Sequence, residues 1–287
     1  MKSKFLALVL MLTLSVSLSA CGSKNKGDTA QLDTKTSSAQ NDTAVPDVDP
    51  VETLYNNAAR FLDEDQYISA AEAFNEVERQ YPYSQWATRA QLMSAYAHYR
   101  NLRYDEAILG LDRFIQLHPG NENIAYAHYL RALSHYEQIS DVRRDQRMTE
   151  LALDSLSQVV NRFPESRYSR DASLKIDLTL DHLAGKEMEI GRYYLVRNQY
   201  QAAINRFQSV IKDYQTTTHV PEALHRLTES YLALGIRPEA EKTAAILGHN
   251  YPNSEWYDDS FALLSGKGRQ DTTAPKSLYQ RTLGRIF

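Results

Sequence analysis

Apolar and small residues recur with helical spacing in five stretches of the chain. Each stretch begins with an alanine and carries small or apolar residues four and seven positions later, which places them on one face of an α-helix. These alanines are Ala70, Ala107, Ala152, Ala203 and Ala240. The twelfth position after each alanine is occupied by Pro82, Pro119, Pro164, Gln215 and Pro252. Proline cannot continue a helix, so the pattern predicts five amphipathic helices that end just before these positions.

A second small residue precedes each of these helices. It lies twelve positions before the alanine in four copies and twenty positions before it in the third copy. These residues are Ala58, Ala95, Ala132, Gly191 and Thr228. A small side chain at the closest approach of two helices lets their backbones pack tightly, so we predict five helix–turn–helix units.

The predicted unit resembles the tetratricopeptide repeat (TPR), which usually has 34 residues. Successive alanines are here separated by 37, 45, 51 and 37 residues. We assign the 45-residue spacing to an insertion around Ser140–Arg147 within the third pair. The 51-residue spacing is assigned to an extended segment between pairs three and four, roughly residues 169–183. We predict an all-α solenoid of about five TPR-like helix pairs forming a superhelix; a helical bundle of another kind is the alternative, which five matched copies disfavour.

The N-terminus has the pattern of a secretory signal. Lys2 and Lys4 precede an apolar run over residues 5–18, which is too short to cross a hydrocarbon core of about 30 Å comfortably. The following Leu-Ser-Ala-Cys-Gly segment, residues 18–22, resembles the lipobox of bacterial lipoproteins. That resemblance implies cleavage before Cys21, which would then carry S-diacylglyceryl and N-acyl groups. An ordinary signal peptide with a chance cysteine is the alternative.

The regions flanking the repeats differ from them in composition. Residues 21–50 contain no aromatic side chain and are rich in Ser, Thr, Asp and Asn, so we predict a disordered tether. The domain prediction is a signal peptide at 1–20, the tether at 21–50, repeats 1–3 at 51–165 as the substrate-binding half, repeats 4–5 at 166–264 as the partner-docking half, and a tail at 265–287.

Composition and charge exclude several classes of protein. The chain has 287 residues, of which 43% are hydrophobic, and this is enough to bury a core. A single cysteine excludes an internal disulfide and a thiolate zinc site. The net charge of −4, with both signs mixed along the chain, disfavours a nucleic-acid-binding protein.

Three segments resemble chemical motifs without completing them. His128 and His135 lie seven residues apart, outside any His-Glu-x-x-His arrangement. Residues 63–65 are acidic but lack the central glycine and closing glutamate of a calcium loop. Residues 265–268 lack the complete phosphate-loop pattern. We therefore predict no catalytic residue, no metal site and no cofactor besides the covalent lipid on Cys21.

Tyrosines dominate the first helices of the N-terminal pairs. They supply rigid contact area with a polar tip, and aromatic residues are enriched where proteins bind one another. We predict a concave groove for an extended peptide whose own aromatic side chains enter pockets. Its residues are Tyr55, Tyr96, Tyr99, Tyr126 and Tyr129, with Leu92 and Tyr136 nearby. The alternative for each tyrosine is that it packs between repeats.

Several short motifs together resemble the BamD/ComL family of outer-membrane lipoproteins over about residues 50–264. They are Arg-Gln-Tyr-Pro-Tyr-Ser at 79–84, Asp-Arg-Phe-Ile at 112–115, the Asp/Arg insertion at 141–145, Arg-Phe-Pro-Glu-Ser at 162–166, and Tyr193-Tyr194 followed by Asn205-Arg206. The resemblance implies a non-enzymatic subunit of the β-barrel assembly (BAM) complex, anchored in the outer membrane of a Gram-negative bacterium and facing the periplasm.

The resemblance also implies partners for the two halves of the solenoid. The N-terminal repeats would receive C-terminal segments of unfolded outer-membrane proteins, and the C-terminal repeats would dock on a BamA-like barrel subunit. By motif, that docking falls on Asn205 and Arg206 with Tyr194 beside them, although Arg206 on an ordinary solvated helix face is the alternative. Other lipoproteins of the same machine would be further partners, and nucleic acid would not.

Two questions stay open at the level of sequence. Another lipid-anchored periplasmic TPR adaptor, serving cell-wall, division or pilus machinery, is the alternative function; a periplasmic hydrolase lacks a supporting residue. The tail carries Tyr279, Leu283, Ile286 and Phe287 at helical spacing, with two arginines beside them. This stripe either docks on a partner or folds back onto the last repeat.

Overall fold

The computed structural model describes residues 49–266, and it places eleven α-helices and no strand in that range. The predicted signal peptide, Cys21, most of the predicted tether and residues 267–287 lie outside the described residues. The helices are α1 (Pro50–Asp63), α2 (Tyr67–Gln80), α3 (Gln85–Arg100), α4 (Tyr104–Leu117), α5 (Ile124–Tyr136), α6 (Arg147–Arg162), α7 (Ser169–Val196), α8 (Tyr200–Asp213), α9 (Val220–Ala233), α10 (Arg237–Asn250) and α11 (Glu255–Ser265). Within this range, no helix is both long enough and apolar enough to cross a membrane.

Ten of the helices form five consecutive pairs, from α1 with α2 to α9 with α10. The second helix of each pair also packs against the first helix of the next pair, so that each helix contacts mainly its neighbours in sequence. Nearest-neighbour packing of this kind defines a helical solenoid. The predicted all-α fold of TPR-like helix pairs is therefore confirmed.

The repeated small residues form the contacts between the helices of each pair. All five alanines of the second helices have no exposed surface, and the small residues of the first helices are buried as well. At Gly191 on α7, an added Cβ atom would lie 2.4 Å from Cε1 of Phe207 on α8. At position 191, therefore, the distance between the helices leaves no room for a side chain.

The helix ends follow from local backbone chemistry. In pairs one, two, four and five, the turn contains a residue with positive φ: Asp65, Leu102, Asn198 and Gly235. The second helices end where they were predicted to end, with C-cap residues Tyr81, His118, Phe163, Tyr214 and Tyr251. Proline follows the cap in all but one of these helices, where Gln215 takes its place.

The two long spacings have different structural origins. The insertion around 140–147 does connect the helices of the third pair, as predicted, and it is held against α7 by Lys186. The Nζ of Lys186 donates hydrogen bonds to the carbonyl oxygens of Arg143 (3.1 Å) and Arg144 (3.2 Å). The predicted segment between pairs three and four is instead the first half of α7, so that placement was wrong. Residues 169–183 contain no proline or glycine, and buried Ala172, Thr179 and Leu183 keep helical spacing.

An eleventh helix follows the five predicted pairs. Ser254 begins α11 by accepting a hydrogen bond from the backbone N–H of Trp256 (3.3 Å), just as Ser84 begins α3 by accepting one from Ala87. Trp256 and Tyr257 pack against the apolar cluster formed by α7–α10. The helix α11 therefore packs on the last complete pair, against both α9 and α10.

Candidate functional site

A cleft of about 630 Å³ is lined by residues of the first three helix pairs and of the segment leading into α7. Of the residues predicted for the peptide groove, Tyr55, Leu92 and Tyr126 line it. Its other walls are formed by α3 and by the connection between α4 and α5. The remaining lining residues are Gln85, Thr88, Arg89, Met93, Phe114, Asn121, Glu122, Asn123, Arg167 and Tyr168.

Tyr55 forms one end of this cleft and also belongs to the core of the first pair. Its ring centroid lies 5.3 Å from that of Phe74 and 4.8 Å from that of Trp86. Burial raises the pKa of Tyr55, although the nearby Arg89 guanidinium opposes the rise. The phenol therefore stays protonated at neutral pH and can donate a hydrogen bond into the cleft.

Tyr126 belongs to a cluster of three tyrosine rings at the other end. Its ring centroid lies 5.4 Å from that of Tyr168, which stacks on Tyr129 at 5.0 Å and an interplanar angle of 22°. Burial is the main cause of the raised pKa of Tyr126. The cluster gives this wall of the cleft a fixed aromatic surface, because each ring is held by another.

Tyr96, Tyr99 and Tyr129, also predicted for the groove, are not among the residues that line this cleft. The Tyr96 hydroxyl accepts a hydrogen bond from Nη1 of Arg100 (3.0 Å). Burial raises the pKa of Tyr99 to about 12, and Tyr129 donates a hydrogen bond to Asp171. All three pack against the apolar clusters between helix pairs, which was the open alternative for each tyrosine.

Two arginines in the cleft were not singled out from the sequence. The Arg89 guanidinium lies 5.3 Å from the Trp86 ring centroid, and that of Arg167 lies 4.9 Å from the Tyr168 ring centroid. Arg167 also donates a hydrogen bond from Nη2 to the Tyr168 hydroxyl (2.7 Å). Guanidinium groups beside aromatic rings suit a ligand that carries both a carboxylate and an aromatic side chain. The sequence signal for Arg167 was its position directly after the matched motif at 162–166.

A second cavity, of about 290 Å³, lies on α7 and α8. Tyr194, Asn205 and Arg206, the three residues predicted for partner docking, all line it together with Ala202 and Ser209. Tyr194 lies near the C-terminal end of α7, while Asn205 and Arg206 are adjacent on α8. The structure thus brings together residues that are eleven and twelve positions apart in the chain.

Arg206 is held by an acidic residue of the neighbouring helix. Its Nη1 donates hydrogen bonds to Oε2 of Glu187 (3.1 Å) and to Oε1 (3.4 Å). The Arg206 side chain is 43% exposed and that of Glu187 is 19% exposed. Among the described residues, Nε and Nη2 of Arg206 make no hydrogen bond, so these donors are available to an acidic partner.

Apolar side chains lie exposed at the end of α7, beside the docking residues. Tyr193 is 55% exposed and Val196 is 83% exposed. The Arg197 guanidinium lies 3.7 Å from the Tyr193 ring centroid, which orients the ring. An apolar surface next to a hydrogen-bonding cavity has the mixed character of a protein–protein interface.

His128, one of the two histidines considered for a metal site, packs in the core of the third pair. His128 is buried, and its ring centroid lies 5.2 Å from that of Phe163, the C-cap of α6. Burial and the charge of Arg131 lower the pKa of His128 to about 4. Over residues 49–266, no three His, Cys, Asp or Glu side chains are grouped in a way that could hold a metal ion.

Comparison with known proteins gives consistent matches. Residues 47–247 match the sequence profile of a family described as "Outer membrane lipoprotein" (YfiO). The chain is 50% identical over 237 residues to the "Outer membrane protein assembly factor BamD" of Caulobacter vibrioides, covering 83% of this chain and 78% of that protein. The protein of the same name from Rickettsia prowazekii is 51% identical over 217 residues, covering 76% and 86%.

More distant matches extend over similar lengths. The Neisseria meningitidis serogroup A protein, also named BamD, is 32% identical over 257 residues, covering 86% of this chain and 92% of that protein. A solved TPR protein from Thermus thermophilus aligns with 76% of this chain and 98% of its own length, at 15% identity and a TM-score of 0.35.

Proposed function

The chain belongs to the BamD family of outer membrane protein assembly factors, and we propose that it acts as a lipid-anchored, non-enzymatic scaffold in the assembly of outer-membrane β-barrels. The observation that supports this proposal is the presence of two separate cavities on one helical solenoid. A cleft with aromatic and guanidinium groups lies in the first three pairs, and a docking cavity lies in the fourth. A scaffold needs to hold two partners at once, and two such surfaces allow it.

The first surface is suited to the unfolded substrate. We assign the cleft to a C-terminal segment of a barrel protein, with its aromatic side chain against the tyrosine cluster and its carboxylate on Arg167 or Arg89. Both guanidinium groups already lie against aromatic rings, so little side-chain entropy is lost when a carboxylate binds. Glu122 in the same lining disfavours a ligand with additional negative charge.

The second surface is suited to a folded partner. We assign the cavity of Tyr194, Asn205 and Arg206 to a BamA-like barrel subunit. An acidic side chain of that partner would accept hydrogen bonds from Nε and Nη2 of Arg206, while Glu187 keeps the guanidinium in place. The exposed Tyr193 and Val196 would add apolar contact area beside it.

The anchor is proposed on Cys21. A diacylglyceryl group and an N-acyl group would together hold the chain stably, because each buried CH₂ contributes about 0.8 kcal/mol and a single chain binds only marginally. Metabolic labelling with palmitate should mark the wild-type chain and leave Cys21→Ala unlabelled. Labelling of both proteins, or of neither, would contradict this assignment.

Peptide binding tests the first surface. A fluorescent peptide with the C-terminal residues of a barrel protein should bind the full chain, and Arg167→Ala should weaken binding at least fivefold. Arg170→Ala removes a nearby exposed arginine that does not line the cleft, so it should leave the affinity unchanged. Equal losses in the two variants would indicate a non-specific charge effect and would contradict the assignment.

Co-purification with a charge exchange tests the second surface. The wild-type chain, purified from detergent extracts, should recover a BamA-like barrel protein, and Arg206→Glu should lose it. That variant also sets two carboxylates against each other, because Glu187 contacts Arg206. The double variant Glu187→Lys with Arg206→Glu restores the ion pair in reverse order. It should fold like the wild type and still fail to recover the partner; recovery by the double variant would contradict direct docking on the Arg206 guanidinium.

A further inference from the structure

The last described helix, α11, has no second helix to pack against within residues 49–266. It packs on both helices of the last complete pair, more extensively on α9 than on α10. The other first helices pack in addition against their own second helices. In the five complete pairs, one face of the first helix is covered by the second helix of the pair. Within residues 49–266, the corresponding face of α11 has no such helix against it.

The uncovered face can be identified by aligning the first helices. Both α3 and α11 begin directly after a capping serine. Counting ten residues on from the first residue of each helix gives Ala95 on α3 and Ser265 on α11. Thr228 lies 37 residues before Ser265, which is the period of the last complete pair. Ser265 thus occupies the small position of α11, and Phe261 lies four residues before it.

The position four residues before the small residue is covered in each complete pair. It is filled by Leu54, Gln91, His128, Glu187 and Leu224, none of which is fully exposed. In three pairs it contacts the pair's own second helix or its cap. His118 Nε2 lies 3.0 Å from Oε1 of Gln91, the Phe163 ring lies 5.2 Å from that of His128, and Arg206 bonds Glu187.

Phe261 is an exception, because it is exposed at the position that is covered in the complete pairs. It occupies the same position on α11 and is 61% exposed. Exposing a phenylalanine at this position forgoes the stabilisation that burying such a side chain provides. A segment that covers Phe261 is therefore expected.

The sequence beyond the described residues carries the pattern of such a segment. Tyr279, Leu283, Ile286 and Phe287 have the spacing i, i+4, i+7 and i+8. The second helices of pairs two, three and four carry apolar residues at the same four positions, for example Ala203, Phe207, Val210 and Ile211 on α8. The first position of the pattern differs, because it is Tyr279 here and alanine in those helices. Eleven residues, 266–276, separate the end of α11 from Ser277, and a connection of similar length, ten residues, joins α5 to α6.

The opposite net charges of the tail and of the last described helices also favour residues 277–287 as the segment that covers Phe261. Residues 267–287 carry five Lys or Arg side chains and one Asp, whereas residues 220–266 carry seven acidic and three basic side chains. We propose that residues 277–287 pack as a second helix on the Phe261 face of α11 and so complete a sixth helix pair.

Hydrogen–deuterium exchange on the full chain tests this proposal independently of barrel assembly. Amides of residues 279–287 should exchange at least tenfold more slowly than in the isolated peptide, at a rate that does not change with protein concentration. Phe261→Asp and Leu283→Asp should each abolish this protection. Leu109→Asp is the matched control, because Leu109 on α4 is 69% exposed and lies in a different pair, and it should retain the protection.

Three outcomes would overturn the proposal. Exchange of residues 279–287 at the isolated-peptide rate in the wild-type chain would show that the segment does not dock. Protection that rises with protein concentration would assign the Phe261 face to a second copy of the chain. Protection that survives in Phe261→Asp, while circular dichroism shows an intact fold, would place the segment elsewhere.

Discussion

Replacing Gly191 with alanine tests whether contact between paired helices determines the fold. In an exposed helix interior this change stabilises by about 1 kcal/mol. Here the new Cβ would lie 2.4 Å from Cε1 of Phe207 and 2.8 Å from two further ring atoms. Carbon atoms prefer about 3.5–4 Å, so the ring would have to move by about 1 Å.

The ring has no open space to move into, because Phe207 has no exposed surface. Overpacking of this kind costs about 1–3 kcal/mol. With a displacement of about 1 Å we take the upper half of that range, and subtracting the helix-propensity gain leaves a net destabilisation of about 1–2 kcal/mol. For a folded region of this size, that corresponds to a thermal midpoint lowered by about 2–8 °C.

The assay is urea and thermal unfolding followed by circular dichroism, with two matched variants. Gly110→Ala places a Cβ 3.2 Å from that of Ala95, a contact that small shifts can relieve, so its stability should stay within about 0.5 kcal/mol of the wild type. Adding Phe207→Leu to Gly191→Ala removes the ring edge and should lessen the effect of the alanine. If Gly191→Ala unfolds at the same or a higher urea concentration than the wild type, the close-contact argument is refuted.

Three further predictions concern stability. Burial lowers the pKa of His128 to about 4, whereas an unfolded histidine titrates near 6.5, so the fold should lose stability as the pH falls from about 6.5 to 4. In urea titrations His128→Gln should lose less stability between pH 7.5 and 5 than the wild type; an equal loss would contradict the assignment. Tyr129→Phe removes the hydroxyl that donates to Asp171, and it should destabilise by about 1 kcal/mol, which an unchanged urea midpoint would contradict. Ser84→Ala removes the N-cap hydrogen bond of α3 and should lower the free energy of unfolding by about 1 kcal/mol. Hydrogen exchange in the first turn of α3 should then become faster, and an unchanged exchange rate would show that this bond does not stabilise the start of the helix.

The helix pairs were predictable because their contacts impose a strict pattern on the sequence. A small residue is needed wherever two backbones approach closely, and its spacing from the next small residue is set by helix geometry. Residues such as Ala70 and Ala203 could therefore be placed without coordinates. The first half of α7 was misplaced because the 51-residue spacing had been attributed to a segment between pairs, although the spacing of Ala172, Thr179 and Leu183 was already helical.

The binding surfaces were less accessible to sequence analysis. Tyr96, Tyr99 and Tyr126 lie on first helices at neighbouring positions, and only the packing between pairs decides which ring reaches the cleft. The ion pair of Glu187 with Arg206 joins residues nineteen positions apart on different helices, so no local spacing indicates it.

Depletion of the protein from its Gram-negative host tests the central claim most directly. The measurement is the amount of folded outer-membrane β-barrels, read from their altered gel migration without heating, after expression of the chain is shut off. The proposed function predicts a severalfold fall in folded barrels before growth stops, restored by the wild-type chain and not by the Glu187→Lys, Arg206→Glu variant. Unchanged levels of folded barrels, with a defect confined to septation or piliation, would contradict it and favour an adaptor for another envelope machine.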